Sequence, residues 1–276
     1  MMALIVAMNA NFFGLPLNAL PTEAKMAYAR NPFLPEALFR LLALDRNWGV
    51  RAQLARNPAL PQAIAHLLSE DKDPDVRKEL AANPSIPTEV MQRLAKDTEF
   101  IVRLFLASNP ALSLSLEAVE TLASDPARQI REAVASNPHL SPEAYLRIAS
   151  KIDVDSYLRL LVNPGVPHGV LADLYSKAPE HTVISALRLT AVPLIVQLKL
   201  LEKASSLVLS TLAESPYLAP EVAHILVKGE DMVRYALAQN KSAPREILEL
   251  LSRDANEFVR KEAERTLSYI QGRLES

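Results

Sequence analysis

Five aspartates, Asp45, Asp71, Asp97, Asp125 and Asp254, each stand six residues ahead of an arginine: Arg51, Arg77, Arg103, Arg131 and Arg260. Two chemistries suit a guanidinium that returns at constant spacing. A row of arginines on one face can take phosphates, or the carboxylates of an acidic peptide, through bidentate hydrogen bonds. Alternatively, the aspartates cap helix starts and the arginines answer them, giving a ladder of ion pairs between stacked units. Each such cap contributes about 0.5–2 kcal/mol. Charge balance favours the ladder, because every arginine arrives with its own aspartate. Arg30 and Arg56 add positive charge only at the N-terminal end.

Between about 150 and 230 the pattern stops. The arginine column becomes Tyr157, Val183 and Leu209, and the aspartate column is read as Lys151, Ala178, Ala204 and Gly229. The stretch 182–213 is unusually apolar. One reading is repeat decay, in which tighter packing replaces the polar ladder. The other is a partner site, since an exposed apolar patch marks an interaction surface. On that reading Tyr157, Val183 and Leu209 continue the face begun by Arg51, Arg77, Arg103 and Arg131. A face that changes from polar to apolar along its length suits a helix or an extended peptide.

The elements that must carry these residues follow from a repeat. Its anchors are Asn31, Asn57, Asn83, Asn109, Asn137, Asn163, Leu189, Ser215 and Asn240, 26 residues apart except for one step of 28 and a last one of 25. Self-similarity at such a period means a solenoid, whose units bury their apolar faces only against one another. In NPALPQAIAHLLSEDKDPDVRKELAA, beginning at Asn57, the proline after the anchor disfavours helix at the Asn, and Asn suits a tight corner. Pro61 and Pro87 then mark a helix start. Ile64, Leu67 and Leu68 share one face of that first helix. Asp73-Pro74 and Asp125-Pro126 read as N-cap and first helical residue of a second helix.

Each unit is thus two short helices, marginal alone and held by stacking. Three residues before the anchors lie Leu54, Leu80, Leu106, Val134, Leu160, Leu212 and Leu237, a core column. Two before lie Ala29, Ala55, Ala81, Ala107, Ala135, Ala213 and Ala238, small enough for close helix approach. The fold expected is an all-α solenoid of about nine two-helix repeats. Residues 1–30 form an N-terminal cap and partial repeat, 31–254 the array, and 255–276 a polar capping helix.

Asn57-Pro58, Pro61, Asp71 and Val76-Arg77, and again Asn83-Pro84, Pro87, Asp97 and Val102-Arg103, resemble the unit of the leucine-rich repeat variant family. The Asp-to-Arg step is also similar to that of HEAT repeats, whose units are longer. The resemblance covers about residues 17–266, strongly in the first half and weakly between 150 and 230. It implies a right-handed superhelix, with some helices 3-10, acting as a scaffold with no defined activity. A cysteine-ligated iron–sulfur cluster found in some members cannot carry over, because the chain has no cysteine.

Composition narrows function further. Without cysteine, disulfides, thiolate catalysis and Cys-ligated zinc are excluded. A net charge of −2 gives no electrostatic reason to expect nucleic acid as partner. His66, His139, His168, His181 and His224 are scattered, so no metal or cofactor is expected, and the glycines make no phosphate cradle. Trp48 is assigned to packing over the first corner. The apolar start, 1–17, lacks a basic leader, and no apolar run is long enough to span a membrane, so cytoplasmic residence is expected.

The functional expectation is a non-catalytic scaffold that binds a protein or peptide along its concave face. Arg51, Arg77, Arg103, Arg131, Tyr157, Val183 and Leu209 are the candidate contacts. Asp45, Asp71, Asp97, Asp125, Asn57, Asn83, Asn109 and Asn137 are the structural ladder. The alternatives are a HEAT-like nucleic-acid-binding or repair enzyme, and a structural protein that self-associates through 182–213.

Overall fold

A computed structural model describes residues 19–274, so the apolar segment 1–17 lies outside the described residues. Nineteen α-helices and no strand lie among them. The helices gather into two compact units, 1–152 and 153–276.

In the first unit α1 spans Thr22–Arg30, α2 Glu36–Ala43, α3 Trp48–Ala55, α4 Gln62–Leu68 and α5 Pro74–Ala81. It continues with α6 Thr88–Leu94, α7 Phe100–Ala107, α8 Leu116–Ala123, α9 Arg128–Ser136 and α10 Pro142–Ala149. The second unit holds α11 Val154–Leu161, α12 His168–Lys177, α13 Glu180–Leu189, α14 Leu194–Leu201 and α15 Ser206–Ala213. It ends with α16 Pro220–Leu226, α17 Asp231–Gln239, α18 Arg245–Leu251 and α19 Glu257–Leu274. Odd-numbered helices stack on the next odd-numbered one throughout each unit. Among the even-numbered helices, α2 packs on α4, α6 on α8, α8 on α10 and α12 on α14. This two-layer stacking is an α-solenoid.

Corner chemistry sets where the helices stop. Asn57 accepts from the Ala59 amide at 2.9 Å, and its carbonyl accepts from Leu60 at 3.1 Å, which turns the chain after α3. Pro61 and Pro87 sit one residue earlier than expected, as extended N-caps rather than inside the first turn. Asp73 caps α5 by accepting from Asp75, with Pro74 first in the helix. Asp125 does not cap α9: that helix begins at Arg128, and the Asp125 carboxylate accepts instead from Ala127, still ahead of the helix. The 28-residue step is absorbed by a 3-10 turn, Leu112–Leu114, which keeps Leu112 in the core and lets Ser115 cap α8.

The leucine and alanine columns are fully buried in both units. Each buried leucine contributes about 1.5–3 kcal/mol, and the alanines let the odd helices approach closely. Seven residues before the anchors, unit 1 buries Val50, Val76, Val102 and Ile130. The second unit places Ser156 and Thr182 in that column before returning to Val208, Val233 and Val259. Ser156 donates to Asp153 at 2.9 Å. The Thr182 hydroxyl is buried with no hydrogen-bond partner among the described residues. A near-isosteric valine removes that desolvated hydroxyl. Thr182→Val should therefore raise stability by about 1 kcal/mol in urea denaturation; an unchanged or lower midpoint would mean that the hydroxyl is satisfied.

Candidate functional site

Each arginine of the ladder stands on an odd helix, six residues before an anchor, and its side chain runs into the seam between two repeats. Arg51 donates through Nε to Asp71 at 2.6 Å and through Nη2 at 2.9 Å. Arg77 grips Asp97 in the same way at 2.6 and 3.0 Å, and Arg103 grips Asp125 at 2.6 and 3.3 Å. The third donor, Nη1, turns back to the main-chain carbonyl six residues earlier: Asp45 for Arg51, Asp71 for Arg77, Asp97 for Arg103 and Asp125 for Arg131, at 2.7 Å in each case. One guanidinium thus ties the corner of its own repeat to the corner of the next.

The pairing register corrects the sequence reading. The aspartate six residues upstream supplies a carbonyl, while the carboxylate comes from the aspartate 20 residues downstream, or 22 at Arg103, where the longer step intervenes. That spacing identifies a ladder member missed in the sequence. Arg234 holds Asp254 at 2.7 and 3.0 Å, 20 residues on, and also reaches Asp231. Arg260 donates to the Asp254 carbonyl at 2.6 Å, and Lys25 begins the series by pairing with Asp45 at 2.9 Å.

The pairs are shut in. The side chains of Arg51 and Asp71 are each 7% exposed, so this row is not an accessible binding face. Burial by itself raises the Asp71 carboxyl, but the Arg51 guanidinium and the Asp73 amide outweigh it and hold the group below its ordinary range. Asp45 is lowered in the same way, with burial opposed by Lys25 and the Asn47 amide. Asp254 is lowered first by Arg234 against the cost of burial. On the surface, Arg30 donates to Gln53 and Arg93 pairs with Glu70, while Arg56 reaches in to the buried Glu79. Trp48 is half exposed rather than sealed over a corner.

A second ladder runs beside the first. Asn83 donates both Nδ2 hydrogens to the preceding repeat, to Ala55 O at 2.7 Å and Asn57 O at 2.9 Å, and accepts from Ser85. Asn57 does the same to Ala29 and Asn31, Asn109 to Ala81 and Asn83, Asn137 to Ala107 and Asn109, and Asn240 to Ala213 and Ser215. The sequence marks these residues as corner formers. Their larger role, stapling one corner to the previous one, needs the stack to be seen. Where Leu189 and Ser215 interrupt the column, buried Gln197 takes over. It donates to Val192 O and Tyr217 O and accepts from the Ala219 amide. No sequence signal singled it out, since glutamine inside an apolar helix recurs at no other anchor.

The residues read as an apolar continuation of the arginine face lie in the seam as well. Tyr157 is buried, and its hydroxyl donates to Leu174 O at 3.2 Å. Val183 is buried and Leu209 half-buried. A position that points between helices takes an apolar side chain inward, which is why these residues fill rather than display. The aspartate column is also corrected by one residue. Fourteen residues after the anchors Asn163 and Leu189 stand Lys177 and Lys203, in place of the Ala178 and Ala204 of the sequence reading. The ladder's acid is thus replaced by a base.

No family model matches the chain, and no curated protein matches it. A solved structure described as an engineered protein is similar over 90% of this chain and 94% of its own, at 16% identity and a TM-score of 0.25. A likeness that low says nothing about activity. Among the described residues no group of acids and histidines could hold a metal ion.

Asn83→Ala should cost about 2–4 kcal/mol, because two buried carbonyls and an amide lose their partner; Asn83→Asp should cost at least as much, since a carboxylate cannot donate. Thermal unfolding by circular dichroism checks both. The lowered carboxyls of Asp45, Asp71 and Asp254 give stability that is fully present above about pH 4 and lost as pH falls through their folded values. Arg51→Met should remove about 3 kcal/mol at neutral pH and flatten the acid limb of the stability profile, as read by urea midpoints between neutral and acid pH.

Proposed function

We propose that the chain is a non-catalytic scaffold of leucine-rich-repeat-variant character that binds a protein or peptide partner through the second unit. The observation that carries this reading is a row of exposed apolar side chains, one per repeat. Leu207, Met232 and Phe258 are each the second residue of their helix, α15, α17 and α19, and are 49%, 49% and 73% exposed. Tyr235, one turn beyond Met232, is exposed beside them. Those three helices stack directly on one another, so the side chains recur at a constant step. Such a stripe suits a helix or an extended segment laid across successive repeats. At the same position α11 and α13 carry Asp155 and His181, and unit 1 carries the buried Gly49, then Asp75, Ile101 and Gln129, so the apolar run belongs to the last three odd helices.

This moves the proposed contact surface from the arginine seam to the outward positions of the odd helices. It also weakens the nucleic-acid alternative on physical grounds. A phosphate-reading row needs guanidinium groups with donors to spare, and Arg51, Arg77, Arg103 and Arg234 each spend theirs on an aspartate. A net charge of −2 adds no compensating field.

The triple variant Leu207→Asp/Met232→Asp/Phe258→Asp alters exposed positions and should leave stability within about 0.5 kcal/mol per site. Affinity capture from cell lysate with the tagged chain should yield a stoichiometric protein partner that the variant no longer retains. Unchanged capture by the variant sinks the proposal. A chain that self-associates in light scattering, with the variant monomeric, would favour the structural alternative.

A further inference from the structure

The apolar stretch 182–213 divides once its side chains are placed. Val183, Val196, Leu200, Val208 and Leu212 are buried in the array, and Leu207 belongs to the outward row of α15. A separate part of it stays on the surface, as one face of α14. This helix, LIVQLKLL, has only two polar residues. Gln197 is turned inward as the corner staple, and Lys199 pairs with Glu202 at the helix end at 2.9 Å. Leu194, Ile195 and Leu198 share one side and are 42%, 48% and 40% exposed. A helix apolar on every side is by composition a buried helix, yet this one leaves that side in water.

The face departs from the repeat. Leu194, Ile195 and Leu198 are the first, second and fifth residues of α14. The second and fifth residues are Glu117 and Glu120 in α8, Glu221 and His224 in α16, and Glu246 and Glu249 in α18. Among the described even helices, α14 alone has a large apolar residue at all three positions. Apolar surface continues beyond the helix. Leu189 and Tyr217 are 67% and 61% exposed and line one groove of about 380 Å³. Gln197 ties α14 to that corner, donating to Tyr217 O at 3.0 Å.

Area and composition decide what covers such a face. The five side chains offer on the order of 500 Å² per copy, so two copies meeting through them bury about 1,000 Å², where specific interfaces begin. Interfaces that form and part are about as polar as the rest of a protein surface, whereas those of lasting homodimers are more apolar. The three α14 residues bring neither a charge nor a hydrogen-bonding group. Lys199, beside them, is already answered by Glu202 and feels Asp173. A face of this kind repels no copy of itself and offers nothing to a phosphate or a charged peptide.

We infer that a second copy of this chain covers the face, the two α14 helices packing on each other about a two-fold axis with Leu189 and Tyr217 at the margin. The interface is isologous, and Leu198 lies near the axis, where it meets its own counterpart. The inference rests on α14 and not on the row of α15, α17 and α19, so it stands apart from the scaffold reading.

Multi-angle light scattering of the full chain at micromolar concentration should give twice the 30.4 kDa of one chain. Ile195→Glu/Leu198→Glu installs the residues that α8 carries at these positions. It should leave the thermal midpoint unchanged and weaken pairing by about a hundredfold or more, giving the mass of one chain. Because the chain has no cysteine, Leu198→Cys is a single reporter. Mild oxidation should trap it as a covalent pair, and should not trap Leu250→Cys on α18, which is 56% exposed. A single-chain mass for the unaltered protein, a pair mass kept by the double-glutamate variant, growth beyond the pair with concentration, or equal trapping through position 250 overturns the inference. So does a single-chain mass combined with sedimentation on phosphatidylglycerol vesicles, which assigns the face to a membrane surface. The Leu207/Met232/Phe258 variant should keep the pair mass even where it loses partner capture, so the two proposals fail separately.

Discussion

Helices of about two turns cannot hold themselves in water, because the cost of nucleating each is not recovered over so few hydrogen bonds. In this chain nearly every helix is of that length. Everything else therefore depends on how one corner is fastened to the next. The fastening is polar and directional. A guanidinium joins its own corner's carbonyl to the next corner's carboxylate, and an asparagine amide reaches back to two carbonyls of the preceding repeat. Between these two rows lies the apolar column of leucine, valine and alanine, which supplies most of the burial.

The two rows differ in what they tolerate. An asparagine staple needs a donor pair at one place, and Gln197 can deliver it from a neighbouring helix when the anchor becomes Leu189. An arginine rung needs two charges at once. Removing only one would strand the other in a desolvated seam, at a cost of several kcal/mol. In the second unit both are gone together: apolar residues take the guanidinium positions, and lysines that extend to solvent take the acid positions. Arg234 and Asp254 restore the rung only where both partners return. The loss is not strictly paired, however: Arg131 is kept although Lys151 stands at the acid position 20 residues on, and both members are replaced only from Tyr157 and Lys177 onward.

That replacement also separates the chemical character of the two units. Unit 1 satisfies its seam internally, with acids and bases meeting across each step. The second unit fills part of its seam with apolar side chains, and carries an apolar row on the outward positions of α15, α17 and α19. The apolar row does not coincide with the lost rungs, since Met232 and Phe258 stand two residues before Arg234 and Arg260, where the ladder has returned.

The period, the two-helix unit, the proline-marked corners and the leucine and alanine columns were all legible in the sequence, because each rests on local chemistry or fixed spacing along one chain. Asp73 as a cap followed by Pro74 is such a case. So is the presence of a ladder at Asp71, Asp97 and Asp125, whose charge matching is visible without coordinates. The partner of each charge was not legible. Six residues of sequence separate Asp71 from Arg77, yet the carboxylate that Arg77 holds is Asp97, because the Asp71 carboxylate is turned to Arg51 and the Asp73 amide and offers Arg77 only its carbonyl. Tyr157 and Val183 likewise read as a continuing face and proved to be seam filling. Which side of a short helix meets its neighbour is decided by the stack, and only tertiary packing sets that direction.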